Sequence, residues 1–274
     1  MLDDTQISRM QRSDGAAQVV IGPRGLIDLA QRGSAKAMLP RLTGGGTEIV
    51  FLNTSGGLAA GDTLRFGVTL RGATRATVTT QTAERAYRAE GPPARARVEM
   101  TVGAGGWLDW LPQETILFDG AALDRDTVID LAPGAGCLAL EMLVLGRLAM
   151  GETLARLHLR DRRTIHAGGR VVHHDALALD DAGLARLAGP ALTGGARAMA
   201  TLVMVSPHAP DLLGAARAAL VEPGVTAGAS APPGRLVIRV LAADGWPLRR
   251  QVARLLAVLR PGPLPRVWPH IRQD

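Results

Sequence analysis

Aromatic residues and lysine are scarce in this chain of 274 residues. Aromatics make up 3% of the sequence, as four Trp, three Phe and one Tyr, and Lys36 is the only lysine. The formal net charge is +6, but the arginines that carry it are scattered and have too few aromatic neighbours to form a base-stacking surface. The sequence therefore argues against a nucleic-acid-binding protein, and it predicts a core built mainly from Ala, Val and Leu.

Cysteine and long apolar runs are also lacking. Cys137 is the only cysteine, which excludes an internal disulfide and a cysteine-based zinc site, and its apolar neighbours predict a buried small side chain. No uninterrupted apolar run approaches the roughly 18 residues of a membrane-spanning helix, and the N-terminus has early acids instead of the apolar segment of a signal peptide. We therefore expect a cytoplasmic protein with no membrane partner.

Glycine and proline are abundant, at 33 and 17 residues, and they are spread without a fixed period. Between them lie short segments that are β-branched or alternate between apolar and polar, a pattern typical of strands joined by turns. Such segments are not separated by long helices, which argues against a Rossmann or TIM arrangement. The sequence predicts a mainly β body with strands at 48–52, 64–70, 76–81, 94–102, 127–131, 138–145, 153–160 and 170–174.

The C-terminal part of the chain has a different texture. Its patterns predict two strands, at 198–206 and 236–241, and three helices, at 180–187, 211–221 and 247–259. Residues 224–234 are predicted to form a loop. The helix at 247–259 has an apolar stripe at helical spacing, which fits either a core-facing side or an exposed docking face. No linker interrupts the chain, so we expect one domain over residues 1–274, of which 1–15 form a flexible N-terminal tail.

Residues 56–63 imitate a phosphate-binding loop, with Gly56, Gly61 and Thr63 in the expected frame. Asp62, however, takes the place of the lysine that would reach the phosphates, and a strand follows where a helix should begin. The segment therefore predicts a tight link between strands, with glycines where the backbone needs a positive φ.

Two adjacent histidines and an aspartate, His173, His174 and Asp175, offer metal-binding groups. Neighbouring residues on a strand point to opposite faces, so the two imidazoles do not readily bind one ion. A metal-dependent hydrolase that uses these three residues is the alternative functional hypothesis. No other combination of residues predicts a catalytic site.

Residues 107–120 combine two tryptophans with a polar centre that contains a proline. On a straight strand, Trp107 and Trp110 would lie on opposite faces. The segment fits either a core strand that runs into a bent connection, with Gln113 and Glu114 exposed, or a functional surface.

Four segments occur in the order and spacing of one protein family, at 56–62, 82–88, 110–116 and 146–152, and a fifth follows at 264–268. Together they resemble the urease accessory proteins of the UreD family, also called UreH. The block Trp-Leu-Pro-Gln-Glu-Thr at 110–115 is its most specific marker. One departure is Arg85, which stands where the family usually has lysine.

The resemblance implies a urease maturation factor that is not an enzyme. Members of the family bind the urease apoprotein together with UreF and the GTPase UreG, and they help to bring nickel to the urease active site, for which an internal water-filled passage has been proposed. The resemblance also implies a layered β-sandwich or β-helix-like body with a few α-helices toward the C-terminus. We accordingly expect a hetero-oligomer with no tightly bound cofactor and only transient contact with nickel.

Under this hypothesis, three carboxylates are candidates for the transient nickel contacts: Asp62, Glu141 and Glu152. A second set contains residues of the family motifs, which are candidates for partner binding: Tyr87, Arg88, Trp110, Gln113, Glu114, Arg147 and Trp268.

Overall fold

The computed structural model describes residues 12–41 and 46–268. Strands make up 50% of the structure and helices 13%, which confirms the predicted mainly β fold. The strands in the described residues are β1 (Asp14–Gly22), β2 (Gly25–Arg32), β3 (Ala35–Met38), β4 (Glu48–Asn53), β5 (Thr63–Leu70), β6 (Arg75–Thr80), β7 (Glu84–Ala86), β8 (Ala94–Val102), β9 (Trp107–Trp110), β10 (Thr115–Leu117), β11 (Ala121–Leu131), β12 (Gly136–Leu145), β13 (Leu157–Ala167), β14 (Arg170–Leu179), β15 (Ala198–Val205), β16 (Val225–Ser230) and β17 (Arg235–Ala242). The helices are α1 (Asp181–Arg186), α2 (Leu213–Ala218) and α3 (Gly245–Leu259), with short 3-10 helices at Leu148–Met150 and Ala209–Leu212.

The strands form two sheets. The seven-stranded sheet has the order β14-β13-β11-β8-β5-β1-β2, and the ten-stranded sheet has the order β16-β17-β15-β12-β9-β6-β4-β3, with β10 and β7 joined to β12. In the seven-stranded sheet, neighbouring strands from β13 through β11, β8 and β5 to β1 are parallel. In the ten-stranded sheet, neighbouring strands from β12 through β9 and β6 to β4 are parallel. The outer pairs of both sheets are antiparallel.

The parallel pairing follows from the path of the chain. From β4 to β13 the chain passes back and forth between the two sheets, and each pass adds a strand beside the previous one in its sheet. The strands therefore stack as coils of a solenoid, which confirms the layered, β-helix-like body expected from the family resemblance.

Two apolar cores hold these layers together. The first lies between the sheets, where the rings of Phe51 and Phe66 stack with their centroids 4.4 Å apart. The second includes the apolar stripe of α3 together with side chains of β12, β15 and β17. The core interpretation of the stripe at 247–259 is therefore the one that the structure confirms.

Trp110 belongs to the first core and Trp107 packs against the second, so the two tryptophans do lie on opposite faces of β9.

Most differences from the predicted elements are small, but two are corrections. Residues 224–234 were expected to form a loop, whereas Val225–Ser230 forms β16 and pairs antiparallel with β17. The edge of β17 offers hydrogen bonds to any neighbouring extended backbone, and the small side chains of this segment do not oppose the pairing. The helix expected at 211–221 is shorter, because the chain first forms the 3-10 helix Ala209–Leu212 and α2 then ends at Ala218.

The flexible tail expected at 1–15 falls mainly outside the described residues, and residues 14 and 15 already belong to β1. Among the described residues, no helix combines the length and apolar character that crossing a membrane requires.

The packing of α3 leads to a test with two valines of the same helix. Val252 is 0% exposed, whereas Val258 is 40% exposed. Val252→Ala should lower the free energy of unfolding by about 2 kcal/mol, because it removes buried methyl groups and leaves a cavity. Val258→Ala should change it by less than about 0.5 kcal/mol. Urea unfolding followed by circular dichroism measures both values, and equal effects would contradict the packing described for α3.

Candidate functional site

The glycine-rich loop after β4 and the segment around β7 form one structural unit. Leu58 donates a backbone hydrogen bond to Arg85, at 2.7 Å, and Tyr87 donates one back to Leu58, at 2.8 Å. Gly57 has a φ of +158°, and any side chain there would collide with the ring of Tyr87. The expectation that glycines of this loop serve a tight connection is confirmed, since Gly56 and Gly61 have φ of +79° and +75° and Gly57 lies directly against an aromatic ring.

The motif residues after β10 extend this unit to the surface. The rings of Tyr87 and Phe118 meet edge to face, with centroids 5.1 Å apart, and the guanidinium of Arg147 lies 4.1 Å from the centroid of Phe118. Leu148 and Met150 are 49% and 74% exposed next to Arg147 in the chain. We call this area the motif surface, defined by Tyr87, Arg88, Phe118, Arg147, Leu148 and Met150.

Two carboxylates hold the loops of the motif surface in place. Glu152 pairs with Arg147 at 2.9 Å and accepts a hydrogen bond from the backbone of Asp119, and the hydrogen bonds from Arg147 lower the pKa of Glu152. Asp119 accepts hydrogen bonds from the backbone of Ala155 and Arg156 and pairs with Arg88 at 3.0 Å. Arg147 and Glu152 therefore form one ion-paired unit.

The remaining motif residues attach the C-terminal segment to the connection between β9 and β10. Trp268 donates its indole hydrogen bond to the carbonyl of Leu111, at 3.2 Å, and Arg249 of α3 stacks on the indole while pairing with Glu114 at 2.9 Å. Gln113 donates to the carbonyl of Val267. Gln113 is 4% exposed, so the expectation that it would be exposed if this segment were a core strand is wrong. The C-terminal segment covers it.

A buried ionic cluster lies between the two sheets. Arg125 of β11 makes two hydrogen bonds to Asp161 of β13, at 2.9 and 2.8 Å, and its third nitrogen lies 3.0 Å from Glu141 of β12. Glu141 also accepts the indole hydrogen bond of Trp110, at 3.0 Å, and Thr115 accepts one from Arg125. We call these five residues the inner cluster. Arg125 thus joins a carboxylate of its own sheet to one of the opposite sheet.

The charges of the inner cluster stabilise one another. Burial alone would raise the pKa of Asp161, but the charge and hydrogen bonds of Arg125 outweigh burial and hold that pKa below its usual value. Burial would likewise lower the pKa of Arg125, yet the charges of Asp161 and Glu141 raise it. Both groups therefore remain charged inside the protein.

Glu84 is a further carboxylate beside the inner cluster, and its environment differs. It accepts hydrogen bonds from the amide of Asn53, at 3.2 and 3.3 Å, and from the backbone of Arg85. Burial raises its pKa above the ordinary value, because these neutral donors and the more distant charge of Arg125 only partly offset the loss of water.

Two small cavities flank the inner cluster. One, of about 50 Å³, is lined by Glu84, Gln113, Thr115, Arg125 and Glu141 among others. The other, of about 20 Å³, is lined by Glu141, Arg163, His173 and Thr201 among others. A cavity holds a water molecule when it offers at least about 10–15 Å³ and several polar partners, so both have room for water. Glu141 and Trp110 border both cavities.

The three carboxylates expected to contact nickel lie in different places. Glu141 is in the inner cluster and Glu152 is on the loops of the motif surface. Asp62 is 6% exposed and accepts hydrogen bonds from the backbone of Ser13 and Ala59, both at 2.8 Å, so it fixes the turn before β5. In the part of the chain that the structure describes, no three His, Cys, Asp or Glu side chains are grouped so that they could hold a metal ion.

The three residues of the alternative hydrolase hypothesis do not converge on one site, although His173 and Asp175 share a face of β14. His173 faces the smaller cavity, and burial lowers its pKa. His174 is exposed and shares a hydrogen bond with Thr164, at 3.0 Å. Asp175 is engaged by two arginines, Arg163 at 3.3 Å and Arg239 at 3.1 Å. The two imidazoles point to opposite faces of β14, as the strand geometry predicted.

Arg125, Asp161 and Glu84 were not identified from the sequence as members of a site. For Arg125 and Asp161 a signal was present, namely a charged residue on the buried face of a strand. In β11 the inward positions are Leu123, Arg125, Thr127, Ile129 and Leu131, so an arginine interrupts an apolar face. In β13, Asp161 stands between the buried Leu159 and Ile165 in the same way. A charge on the buried face of a strand requires a partner, which makes such positions detectable.

The inner cluster leads to a prediction for stability. Arg125→Met should lower the free energy of unfolding by about 3–5 kcal/mol, because it leaves buried carboxylates without their partner. The matched control is Arg97→Met, since Arg97 pairs with Glu99 on the surface with side chains 49% and 60% exposed. That change should cost less than about 1 kcal/mol. Chemical unfolding measures both, and a small effect of Arg125→Met would contradict the ion pairing described.

Glu84 leads to a prediction for pH dependence. Its raised pKa means that the folded state binds a proton more tightly than the unfolded state, for which the ordinary value is 4.5. The contribution of Glu84 to the free energy of unfolding should therefore rise as the pH falls from neutral toward that value. Glu84→Gln removes the titration, so wild type should gain stability relative to this variant as the pH falls. Glu90→Gln, at an exposed position, controls for the loss of a carboxylate, and an opposite trend in the Glu84 series would contradict the burial assigned here.

Comparison with known proteins agrees with the motifs. The family described as UreD urease accessory protein matches residues 13–269. A urease accessory protein UreD from Paracoccus denitrificans (strain Pd 1222) is 66% identical over 98% of this chain and 96% of the relative. A urease accessory protein UreD from Cereibacter sphaeroides (strain ATCC 17025 / ATH 2.4.3) is 62% identical over 94% of this chain and 96% of the relative. Another from Dinoroseobacter shibae (strain DSM 16493 / NCIMB 14021 / DFL 12) is 46% identical over 97% of this chain and 95% of the relative. The chain belongs to the UreD family of urease accessory proteins.

Proposed function

We propose that this protein is a scaffold without catalytic activity that binds the urease apoprotein together with UreF and UreG and assists the delivery of nickel to the urease active site. Family membership supports the role in urease maturation. The observation that carries the nickel part of the proposal is the position of Glu141, a buried carboxylate that borders both internal cavities.

The inner cluster offers a cation a site that is easy to leave. Arg125 is held at Asp161 by two hydrogen bonds, whereas it has one contact of 3.0 Å with Glu141. An arriving cation competes for Glu141 against that contact and against the indole hydrogen bond of Trp110, while Asp161 keeps the guanidinium in place. When the cation leaves, Arg125 pairs with Glu141 again. Transfer requires this balance, because a site that binds too tightly does not release its ion.

The groups around Glu141 have chemistry that suits nickel. Glu84 and Glu141 supply carboxylate oxygens to the larger cavity, and His173 supplies an imidazole to the smaller one. Divalent nickel accepts both ligand types. A hydrated ion would exchange its water for one or two of these groups at a time, which favours passage over retention. Asp62 and Glu152 stay proposed contacts outside these two cavities, and each also holds backbone amides in place.

The motif surface is the area that we propose for contact with the maturation partners. It combines Tyr87, Phe118 and Arg147 with the exposed Leu148 and Met150. Aromatic residues, Met and Arg are enriched in protein interfaces, where flat or flexible side chains bury much area at low cost in conformational entropy. The ion pairs of Glu152 and Asp119 hold this surface in one shape before binding.

The proposal is tested by Glu141→Gln in a complex reconstituted with urease apoprotein, UreF, UreG and nickel. Gln keeps the shape of the side chain and can still accept the hydrogen bond of Trp110, but it removes the charge that attracts a cation. We expect the complex to assemble normally while urease receives severalfold less nickel and shows correspondingly less activity. Metal analysis of the purified urease and a urea hydrolysis assay measure the two effects.

The matched control is Glu99→Gln, which removes a charge on the outer face of β8. It should leave both nickel content and activity unchanged. Normal nickel loading by a folded Glu141→Gln variant would overturn the proposed passage. Failure of wild-type protein to associate with urease apoprotein and UreF would overturn the scaffold role.

A further inference from the structure

The outer face of the seven-stranded sheet carries a groove of about 600 Å³. It lies near the beginnings of β5, β8, β11 and β13, on the side away from the ten-stranded sheet. Five outward-facing arginines line it, together with two aspartates: Arg65, Arg95, Arg97, Arg160, Arg162, Asp124 and Asp126. The groove therefore carries an excess of positive charge. Nothing in the inner cluster or on the motif surface uses it.

The parallel register arranges these charges in two rows. Arg95 lies beside Asp124, which lies beside Arg160, and two residues further along the strands Arg97, Asp126 and Arg162 repeat the order. The rows are about 6.6 Å apart, since a parallel strand rises about 3.3 Å per residue. In each row the two arginines are separated by two strand spacings, or about 9.6 Å.

The arginines of the two rows are engaged to different degrees. Arg97 pairs with Glu99 at 2.7 Å and Arg162 pairs with Asp126 at 2.8 Å. Within the described part of the chain, Arg95 and Arg160 make no side-chain hydrogen bond or ion pair, and both are exposed. Arg65, the neighbour of Arg97 on the adjacent strand, pairs with Asp14 at 3.1 Å. An anionic ligand would occupy the two free guanidinium groups, those of Arg95 and Arg160.

We propose that this groove binds an extended acidic segment of a partner protein, with carboxylates at alternate positions. An extended chain places residues i and i+2 about 6.6–6.8 Å apart, which matches the spacing of the two rows. Arginine suits such a ligand because its planar fork binds a carboxylate with two parallel hydrogen bonds. A single inorganic phosphate is too short to reach both rows. Single-stranded nucleic acid fits less well, because the groove has no aromatic residue on which bases could stack.

The interaction is independent of nickel transfer, and it can be measured on the full chain with synthetic probes. The first probe is a fluorescent peptide in which glutamate alternates with serine, and the second has the same composition with all glutamates in one block. Fluorescence anisotropy at low salt should show tighter binding of the alternating peptide, by about 10-fold, or about 1.4 kcal/mol. Inorganic phosphate at the same concentration should compete weakly.

Variants assign the binding to the groove. Arg95→Glu with Arg160→Glu should weaken binding of the alternating peptide by at least about 10-fold, because two contacts become repulsive. The control is Arg24→Glu with Arg170→Glu, which makes the same change of charge at exposed positions near the opposite ends of the strands. This control should bind nearly as wild type. If the first variant unfolds, Arg95→Gln with Arg160→Gln replaces it, with a smaller loss in the same direction.

Four results would overturn the proposal. Two concern the variants: equal loss of binding in the groove variant and the control, or unchanged binding in a folded groove variant. The other two concern the ligands: equal affinity for the alternating and the block peptide, or tighter binding of single-stranded polyuridylate than of the alternating peptide. The last result would indicate a nucleic acid as the ligand of the arginines.

Discussion

The pairing of the buried Arg125 guanidinium, above all with Asp161, is the constraint on which the rest of the structure depends. Elsewhere the two sheets meet mainly through Ala, Val, Leu and a few larger apolar side chains, which fix the spacing of the layers but tolerate small shifts. A buried guanidinium does not tolerate such shifts, because an unpaired charge in the interior is strongly unfavourable. Arg125 must meet Asp161 of its own sheet and Glu141 of the other at hydrogen-bond distance. This requirement sets how β11, β12 and β13 lie relative to one another.

The same register connects the inside of the protein to its outer face. Along β11, the residues alternate so that Arg125 points inward while Asp124 and Asp126 point outward. A slip of one residue would exchange the faces, leaving carboxylates in the core and the arginine in solvent. Because the neighbouring strands are parallel and in register, the pairing that places Arg125 beside Asp161 also places the outer aspartates between two columns of arginines. The inner cluster and the outer groove are therefore two consequences of one strand alignment.

Local patterns in the sequence were sufficient for most of the long strands, for the opposite faces of Trp107 and Trp110, and for the buried stripe of α3, since each depends on the period of a single element. They did not predict β1, β2, β3, β7 and β10 as separate strands. They were insufficient for β16, whose small residues form a strand only because the edge of β17 lies next to them. Gln113 was misjudged for a related reason. It is polar and follows a proline, yet the C-terminal segment, far away in the sequence, covers it and accepts its hydrogen bond. The family motifs did not show that Gly57, Tyr87 and Phe118 converge, because the contacts among them join separate coils of the solenoid.

The inner cluster also explains how one site could serve both stability and transfer. Arg125 has more contacts with Asp161 than with Glu141, so the two carboxylates are not equivalent partners. Asp161 is 0% exposed and anchors the guanidinium within one sheet. Glu141 borders the cavities, and breaking its contact with Arg125 would leave Arg125 paired with Asp161. A symmetric arrangement would hold both carboxylates equally and leave neither for a passing cation. Under the proposed nickel passage, the asymmetry would separate the two tasks: the two hydrogen bonds to Asp161 would maintain the fold, and the single contact with Glu141 would open and close.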